Sequence, residues 1–325
     1  MMKKILLIVL CVIAALMVWH FSLLSINDAG ITAESPATPP VKTLTVGWTG
    51  NMVPSSDIGY NLTALNNVSP TLEQPDLMIG NLDGTLGHST RPFQGDPSFA
   101  DTLKAAGFDF ITLVNNHSLD YGPTGLKNTE AELDRIGLPY IAPDKPTASI
   151  TINGIRIGIM GLSSNAPDHT ISDYHYIATT VAQLKKENDI VIVVFQGAEN
   201  STTAVPNTIE YQNGDNRGNV QGVAYTAINA GADLVLGDGP KVLRKVEWYN
   251  SKPIAYSLGN FVSGPGHLVT TGNLGLGGIF TATFENNIPQ STGFTSITLA
   301  KDGTPSLDTT DKAKQLLDSL SGTKK

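Results

Sequence analysis

Apolar residues recur along the chain in short runs, each stopped by a cluster of Gly, Asn, Asp or Gln. Residues 44–48, 76–80, 108–114, 190–195 and 234–237 are such runs. Runs this short, rich in β-branched and aromatic residues, predict buried strands. Segments of helical spacing lie between them. Residues 97–106 predict a helix, with Asp96 as its cap before a proline in the first turn. Residues 123–136, 181–187 and 218–230 predict three more, the last stopped by Gly231. Two hairpins are written into the chain: residues 148–152 and 155–162 flank Asn153-Gly154, and residues 246–249 and 252–257 flank Asn250-Ser251. Strands near 278–284 and 294–299 follow, then a polar tail from residue 301 with one short helix over 311–320. Strands and helices alternate first and strands dominate later, so the pattern predicts an α/β domain. No internal repeat stands out.

The amino-terminal pattern differs. Lys3 and Lys4 precede an apolar run over residues 5–26, long enough to span a bilayer as a helix. The paired lysines predict a cytoplasmic tip, and hence a single-pass cell-membrane protein whose carboxyl-terminal domain is extracytoplasmic. Thr32-Ala33 leaves a cleavage site open. Residues 27–43 are polar and proline-rich and read as a spacer. The expected organisation is therefore 1–26 tip and anchor, 27–43 linker, 44–300 domain and 301–325 tail.

Composition narrows the chemistry. A net charge of -8 argues against a nucleic-acid partner, which needs a basic face. Cys11 is the single cysteine, so no intramolecular disulfide or redox pair forms. The chain has no phosphate-binding P-loop and no dinucleotide glycine fingerprint.

The polar clusters sit where strands end. They are Gly50-Asn51, Asn81-Leu82-Asp83-Gly84, Asn115-Asn116-His117, Gln196-Gly197-Ala198-Glu199, Gly237-Asp238-Gly239-Pro240-Lys241 and Ser257-Leu258-Gly259-Asn260. Each alone reads as turn chemistry. In a largely parallel sheet, however, such ends converge on one crevice. His117 offers a proton or a ligand nitrogen, and Asp120 can orient it or cap the following helix. Arg217 can bind a carboxylate or serve the helix that follows it.

The order and wording of these pieces resemble the CapA family of capsule and poly-γ-glutamate synthesis proteins. The matching pieces are Gly80-Asn81-Leu82-Asp83, residues 115–122, residues 231–237 and residues 254–261. The resemblance covers roughly residues 44–261. That family looks like a branch of the calcineurin-like metallophosphoesterases. The resemblance implies a four-layer αββα sandwich, here preceded by a transmembrane helix, with its site at the strand ends and two metal ions held there in the wider fold. The chain departs from the family pattern at three of those places. It has Gly50-Asn51 for Gly-Asp, Gln196-Gly197 for His-Trp-Gly, and Gly237-Asp238-Gly239-Pro240-Lys241 for Gly-x-His-Pro-His.

The departures shape the expectations. Asp83, Asn116, Glu199 and Asp238, with Asn51 and Gln196 as neutral oxygen donors, form a weak metal set for one manganese or zinc ion or for none. Lys241 puts an ammonium where a ligand would stand, or points to solvent after Pro240. His117 and Asp120 are the catalytic candidates, and Lys241, Asn260 and Arg217 the substrate-binding ones. Three functions follow: a membrane-anchored accessory protein that binds an anionic extracellular polymer, a metal-dependent hydrolase or phosphoesterase, or a non-catalytic scaffold for other membrane proteins of a synthesis and export complex.

Overall fold

The computed structural model describes residues 13–17, 19–20, 41–55, 63–88, 91–166, 168–199, 201–264 and 269–322, in two units, Met1–Val41 and Lys42–Lys325. In the first unit, residues 13–17 and 19–20 are helical, with Ile13, Leu16, Met17 and Trp19 exposed. Among the described residues no helix is long and apolar enough to cross a membrane. The remainder of the expected span over 5–26, and most of the expected linker, lie outside the described residues.

In the second unit the strands are β1 (Thr43–Val53), β2 (Leu77–Leu82), β3 (Thr85–Leu86), β4 (Gln94–Gly95), β5 (Phe110–Thr112), β6 (Tyr140–Ile141), β7 (Thr147–Ile152), β8 (Ile155–Ser163) and β9 (Ile190–Gln196). They continue as β10 (Glu210–Gln212), β11 (Asp215–Gly218), β12 (Leu234–Asp238), β13 (Val246–Tyr249), β14 (Lys252–Ala255), β15 (Asn260–Ser263), β16 (Leu276–Glu285), β17 (Ile288–Leu299) and β18 (Pro305–Leu307). The helices are α1 (Ser69–Leu72), α2 (Phe99–Ala105), α3 (Gly122–Ile136), α4 (Tyr174–Glu187), α5 (Val220–Ala230) and α6 (Lys312–Ser321).

Two large sheets carry the architecture. One runs β18-β17-β16-β1-β2-β5-β6, with β15 also paired to β1, and the other runs β13-β14-β12-β9-β8-β7. Pairing is parallel through β1, β2, β5 and β6 and through β8, β9, β12 and β14. Side chains alternate between faces along a strand, and here each set meets its own apolar layer. Leu44, Val46 and Trp48 of β1 face Ile155, Ile157 and Ile159 of β8, and Ile190, Ile192 and Val194 of β9, in one core between the sheets. The intervening Met52 and Met78 join Phe99, Leu103, Leu126 and Leu133 of α2 and α3 in a second core. Val191, Val193 and Phe195 join Ile177, Val181, Val223 and Ala227 of α4 and α5 in a third. The order is therefore helices, sheet, sheet, helices. Fully burying one such side chain stabilises the fold by about 1.5–3 kcal/mol, and nearly every inward position is filled this way.

Both predicted hairpins form. Asn153 and Gly154 have φ of 51° and 75°, and Asn250 and Ser251 have 48° and 59°. Two consecutive left-handed residues make the turn whose twist suits antiparallel strands.

Three expectations shift. Helix α4 begins at Tyr174 rather than 181, because Asp173 caps it by accepting the Tyr176 N–H at 2.9 Å. Its first turns carry Tyr, His and Thr, which are poor helix formers and hid it. Helix α2 begins at Phe99, since Asp96 instead closes a tight turn on the Ser98 N–H and hydroxyl. The stretch expected as a polar tail supplies β18 as well as the short helix expected there, α6, and both Ala313 and Leu317 of that helix are buried.

Candidate functional site

The carboxyl ends of β1, β2, β9 and β12, and the segment after β5, converge on one edge of the sandwich. Residues there do not simply end strands; their side chains bond one another. Asn81 at the end of β2 is the hub. Its Nδ2 donates to Asn51 Oδ1 at 3.2 Å and to Asp238 Oδ2 at 2.9 Å. Its Oδ1 accepts from Asn115 Nδ2 at 3.1 Å, and the same nitrogen donates to the Leu82 carbonyl at 2.7 Å. Asn51 Nδ2 reaches the Gly239 carbonyl at 3.5 Å. Gln196 Nε2 donates to Asn116 Oδ1 in a short contact, and Ser163 donates to Gln196 Oε1 at 3.5 Å. The amides thus tie five strand ends together across both sheets.

Backbone geometry makes this closeness possible. A Cβ on Gly50 would meet the Gly259 carbonyl at 2.0 Å, and one on Gly239, where φ is +122°, would meet the Gly197 carbonyl at 2.1 Å. Only glycine lets these strand ends approach so closely.

His117 is held on two sides. Its Nδ1 lies 2.7 Å from Asp120 Oδ2, and Phe93 stacks on its ring with centroids 3.6 Å apart. Phe93 takes φ of 57° to do so, an uncommon state for a bulky residue. Helix α3 has no side-chain cap at Tyr121, so Asp120 serves the histidine rather than the helix.

The cavity at this edge holds about 240 Å³. Asn51, Asp83, Asn116, His117, Gln196 and Asn260 line it from the strand ends, and Lys241 from the loop after β12. Phe93 and Asn165 close it from loops, and Gln212, Asn213, Asp215 and Arg217 from the β10-β11 hairpin. Asp238 lies beneath, buried among the amides. Glu199 is the candidate that does not join: its carboxylate accepts from the Ser201 N–H and hydroxyl at 3.0 and 2.7 Å, a local turn on its own loop. Sequence reading also passed over Phe93, Asn165, Gln212 and Asn213. The Asn115-Asn116-His117 motif had signalled Asn115, which donates to the Asn81 hub; the four others carried no signal.

Charge is unevenly settled here. Asp83 is 6% exposed, and neither of its oxygens accepts a hydrogen bond from a described residue; Oδ1 is fully enclosed. Burial pushes its carboxyl up, while His117, Arg217 and Lys241 pull it down. Burial and the neighbouring Asp83 push the Asp238 carboxyl well up, against the bonds from Gly239 and Asn81. Burial lowers the Arg217 guanidinium, opposed by Asp83 and Asp215; its Nε donates to the Ala198 carbonyl at 3.3 Å and its Nη1 to Asn165 Oδ1 at 3.4 Å. Asn260 Oδ1 is likewise buried without a partner.

The dinuclear metal centre implied by the resemblance does not fit these residues. Among the described residues no group of three or more His, Cys, Asp or Glu side chains could hold a metal. The amide oxygens of Asn51, Asn81 and Asn116 already accept hydrogen bonds, and so does Asp238. Lys241 and Arg217 add positive charge beside Asp83, which opposes two divalent cations.

A buried ion pair holds the loop part of the cavity in place. Arg244, fully buried, donates through Nη1 and Nη2 to the two oxygens of Glu210, each at 2.7 Å. Its remaining donors reach the carbonyls of Thr202 and Glu199 at 3.0 Å. The segment carrying Gln212, Asn213, Asp215 and Arg217 is thereby latched to the start of β13.

Residues 49–265 match the family described as bacterial capsule synthesis protein PGA_cap. The PGA biosynthesis protein CapA of Bacillus subtilis (strain 168) is 29% identical over 220 residues, covering 60% of this chain and 55% of that protein. The capsule biosynthesis protein CapA of Bacillus anthracis is 30% identical over 219 residues, covering 60% and 52%. The chain thus spans about half the length of the curated relatives it matches. Among solved structures it is similar to a novel phosphatase from Mycoplasma pneumoniae, with a TM-score of 0.54, 14% identity and coverage of 80% and 95%. A hypothetical protein from Thermus thermophilus gives 0.53, 14%, 78% and 98%. At such identities the likeness is one of fold alone.

Proposed function

Because the chain belongs to the bacterial capsule synthesis protein family PGA_cap, as the match over residues 49–265 shows, we propose that it acts outside the cytoplasm in the synthesis or export of an anionic polymer of the poly-γ-glutamate type, and that it binds that polymer in the strand-end cavity. The lysine-flanked apolar run over residues 5–26 supports a membrane anchor, which would set the domain beside other membrane proteins of a synthesis complex.

One observation carries the binding reading. Two side-chain cations, Arg217 and Lys241, line a cavity whose other strand-end donors and acceptors are mostly tied to one another. A desolvated guanidinium and an ammonium in one small cavity favour a carboxylate or phosphate ligand. The test is binding of fluorescently labelled poly-γ-glutamate by the full chain in detergent. The Lys241→Glu variant should bind about tenfold or more weakly; unchanged affinity would remove the cavity from polymer binding.

A second reading, hydrolysis with His117 as general acid, is favoured by the 2.7 Å contact to Asp120. That contact orients the ring of a histidine that lines the cavity. Turnover of a generic phosphodiester with added manganese, compared between the wild type and His117→Ala, decides it. Identical background rates would leave binding as the function.

A further inference from the structure

The cavity's cations account for a carboxylate, but they leave Asp83 unexplained. This carboxylate is more than nine-tenths buried, accepts no hydrogen bond from a described residue and lines the same cavity as Lys241 and Arg217. His117, Arg217 and Lys241 act on it through space but donate no hydrogen bond to it, and a buried carboxylate without a donor is costly, so a site keeps one only where a further donor meets it. Asn260 repeats the pattern: it is 1% exposed and its side-chain oxygen is also unpartnered. The sheet places the two near each other. Asn260 pairs with Asn51 on one edge of β1, and Asn81, two residues before Asp83, pairs with Asn51 on the other. Both side chains line the same cavity.

The cavity therefore carries two poles: unpaired acceptors at Asp83 and Asn260, and unpaired donor capacity at Lys241 and Arg217. The interior of a polyanion matches one pole only. Its carboxylates would suit Lys241 and Arg217, but it brings no positive charge to Asp83 and would repel it. A divalent metal ion matches the other pole only, and the two cations oppose it. A unit bearing an ammonium beside a carboxylate satisfies both and adds no net charge. We infer that the cavity recognises the free amino-terminal end of an amino-acid polymer, its ammonium held by Asp83 and Asn260 and its adjacent carboxylate by Lys241 and Arg217. The size agrees: about 240 Å³ lies below the usual range for larger ligands and suits a single terminal unit rather than a length of chain. This inference rests on the proposed polymer binding and makes it specific to one end.

The experiment uses the full chain in detergent and three probes: a γ-linked glutamate tetramer with a free amino end, the same tetramer N-acetylated, and the free tetramer with chelator present. Calorimetric titration should show acetylation weakening binding by about thirtyfold or more, with no effect of chelator. In Asp83→Asn, an isosteric change, the free and acetylated tetramers should bind alike. Equal binding of both tetramers to the wild type would overturn end recognition while leaving polymer binding intact. Loss of binding with chelator would show that a metal, not the ammonium, meets Asp83. Failure of both tetramers to bind would overturn the inference together with the reading beneath it.

Discussion

The domain buries carboxylates in two places and treats them in opposite ways. Glu210 is enclosed with Arg244 in a pair whose charges and donor nitrogens are all answered, two bonds of 2.7 Å between them and two more to backbone carbonyls. Asp83 and Asp238 are enclosed some strands away with no cation bonded to either; Asp238 has amide partners and Asp83 none among the described residues. The first arrangement is finished and serves the fold. The second is incomplete, and the incompleteness is concentrated where the cavity lies. A buried charge is thus informative by what it lacks: a satisfied one marks a fastening, an unsatisfied one marks a place kept for a partner.

The contrast can be broken at the fastening first. Arg244→Leu leaves Glu210 buried and uncompensated, and should cost about 3–5 kcal/mol in chemical denaturation. Adding Glu210→Leu should recover most of that loss, because an apolar pair of similar volume needs no counter-charge. If the single variant were as stable as the wild type, the two buried sites would not differ in kind.

On the cavity side, Lys241→Glu should weaken labelled poly-γ-glutamate binding by about tenfold, or about 1.4 kcal/mol, with little change in melting temperature. A large fall in stability instead would make Lys241 part of the fastening.

Asp238→Asn should act in the unusual direction and stabilise. Burial holds the Asp238 carboxyl well above its ordinary value of 3.8, so the folded chain keeps a proton that the unfolded chain releases. Its contribution is most favourable below pH 3.8 and is lost as pH rises from there through the folded value. Removing the charge should raise stability at pH 8 by about 1 kcal/mol and flatten that pH dependence. Denaturation curves at pH 5 and pH 8 check the sign.

The smallest effect belongs to the ring over His117. Phe93→Gly loses a stack but releases a left-handed backbone, and the two should nearly cancel, within about 1 kcal/mol. A larger loss would mean that the stack, not Asp120, sets the histidine.

Much of this was legible in the chain. The strands announced themselves because their inward positions are apolar on both faces, as Ile190, Val191, Ile192 and Val193 show. The turn pairs Asn153-Gly154 and Asn250-Ser251 announced the hairpins, and the Asn51, Asp83, His117, Gln196 and Asp238 clusters announced that the strand ends meet on one edge. What stayed hidden depends on distance. Arg244 and Glu210 stand 34 residues apart, and no local pattern pairs them. Phe93 meets His117 only through a left-handed turn that phenylalanine does not advertise. Glu199 carried the residue type of a ligand but spends its carboxylate on Ser201. The first half of α4 was masked by poor helix formers and revealed only by its cap.

The two-sided pairing of β1 has a consequence in time. One edge of this strand joins β2, made soon after it. The other joins β16 along residues 43–49 and β15 along residues 51–53, and both belong to the last quarter of the chain. During synthesis β1 must wait, one edge open, until more than 200 residues have followed it. Such distant pairings close slowly, and an open edge invites wrong partners. Asn51 meets Asn260 at that late join, so the floor of the cavity is among the last parts of the domain to be assembled. A chain cut short before β15 could form much of both sheets and still have no site.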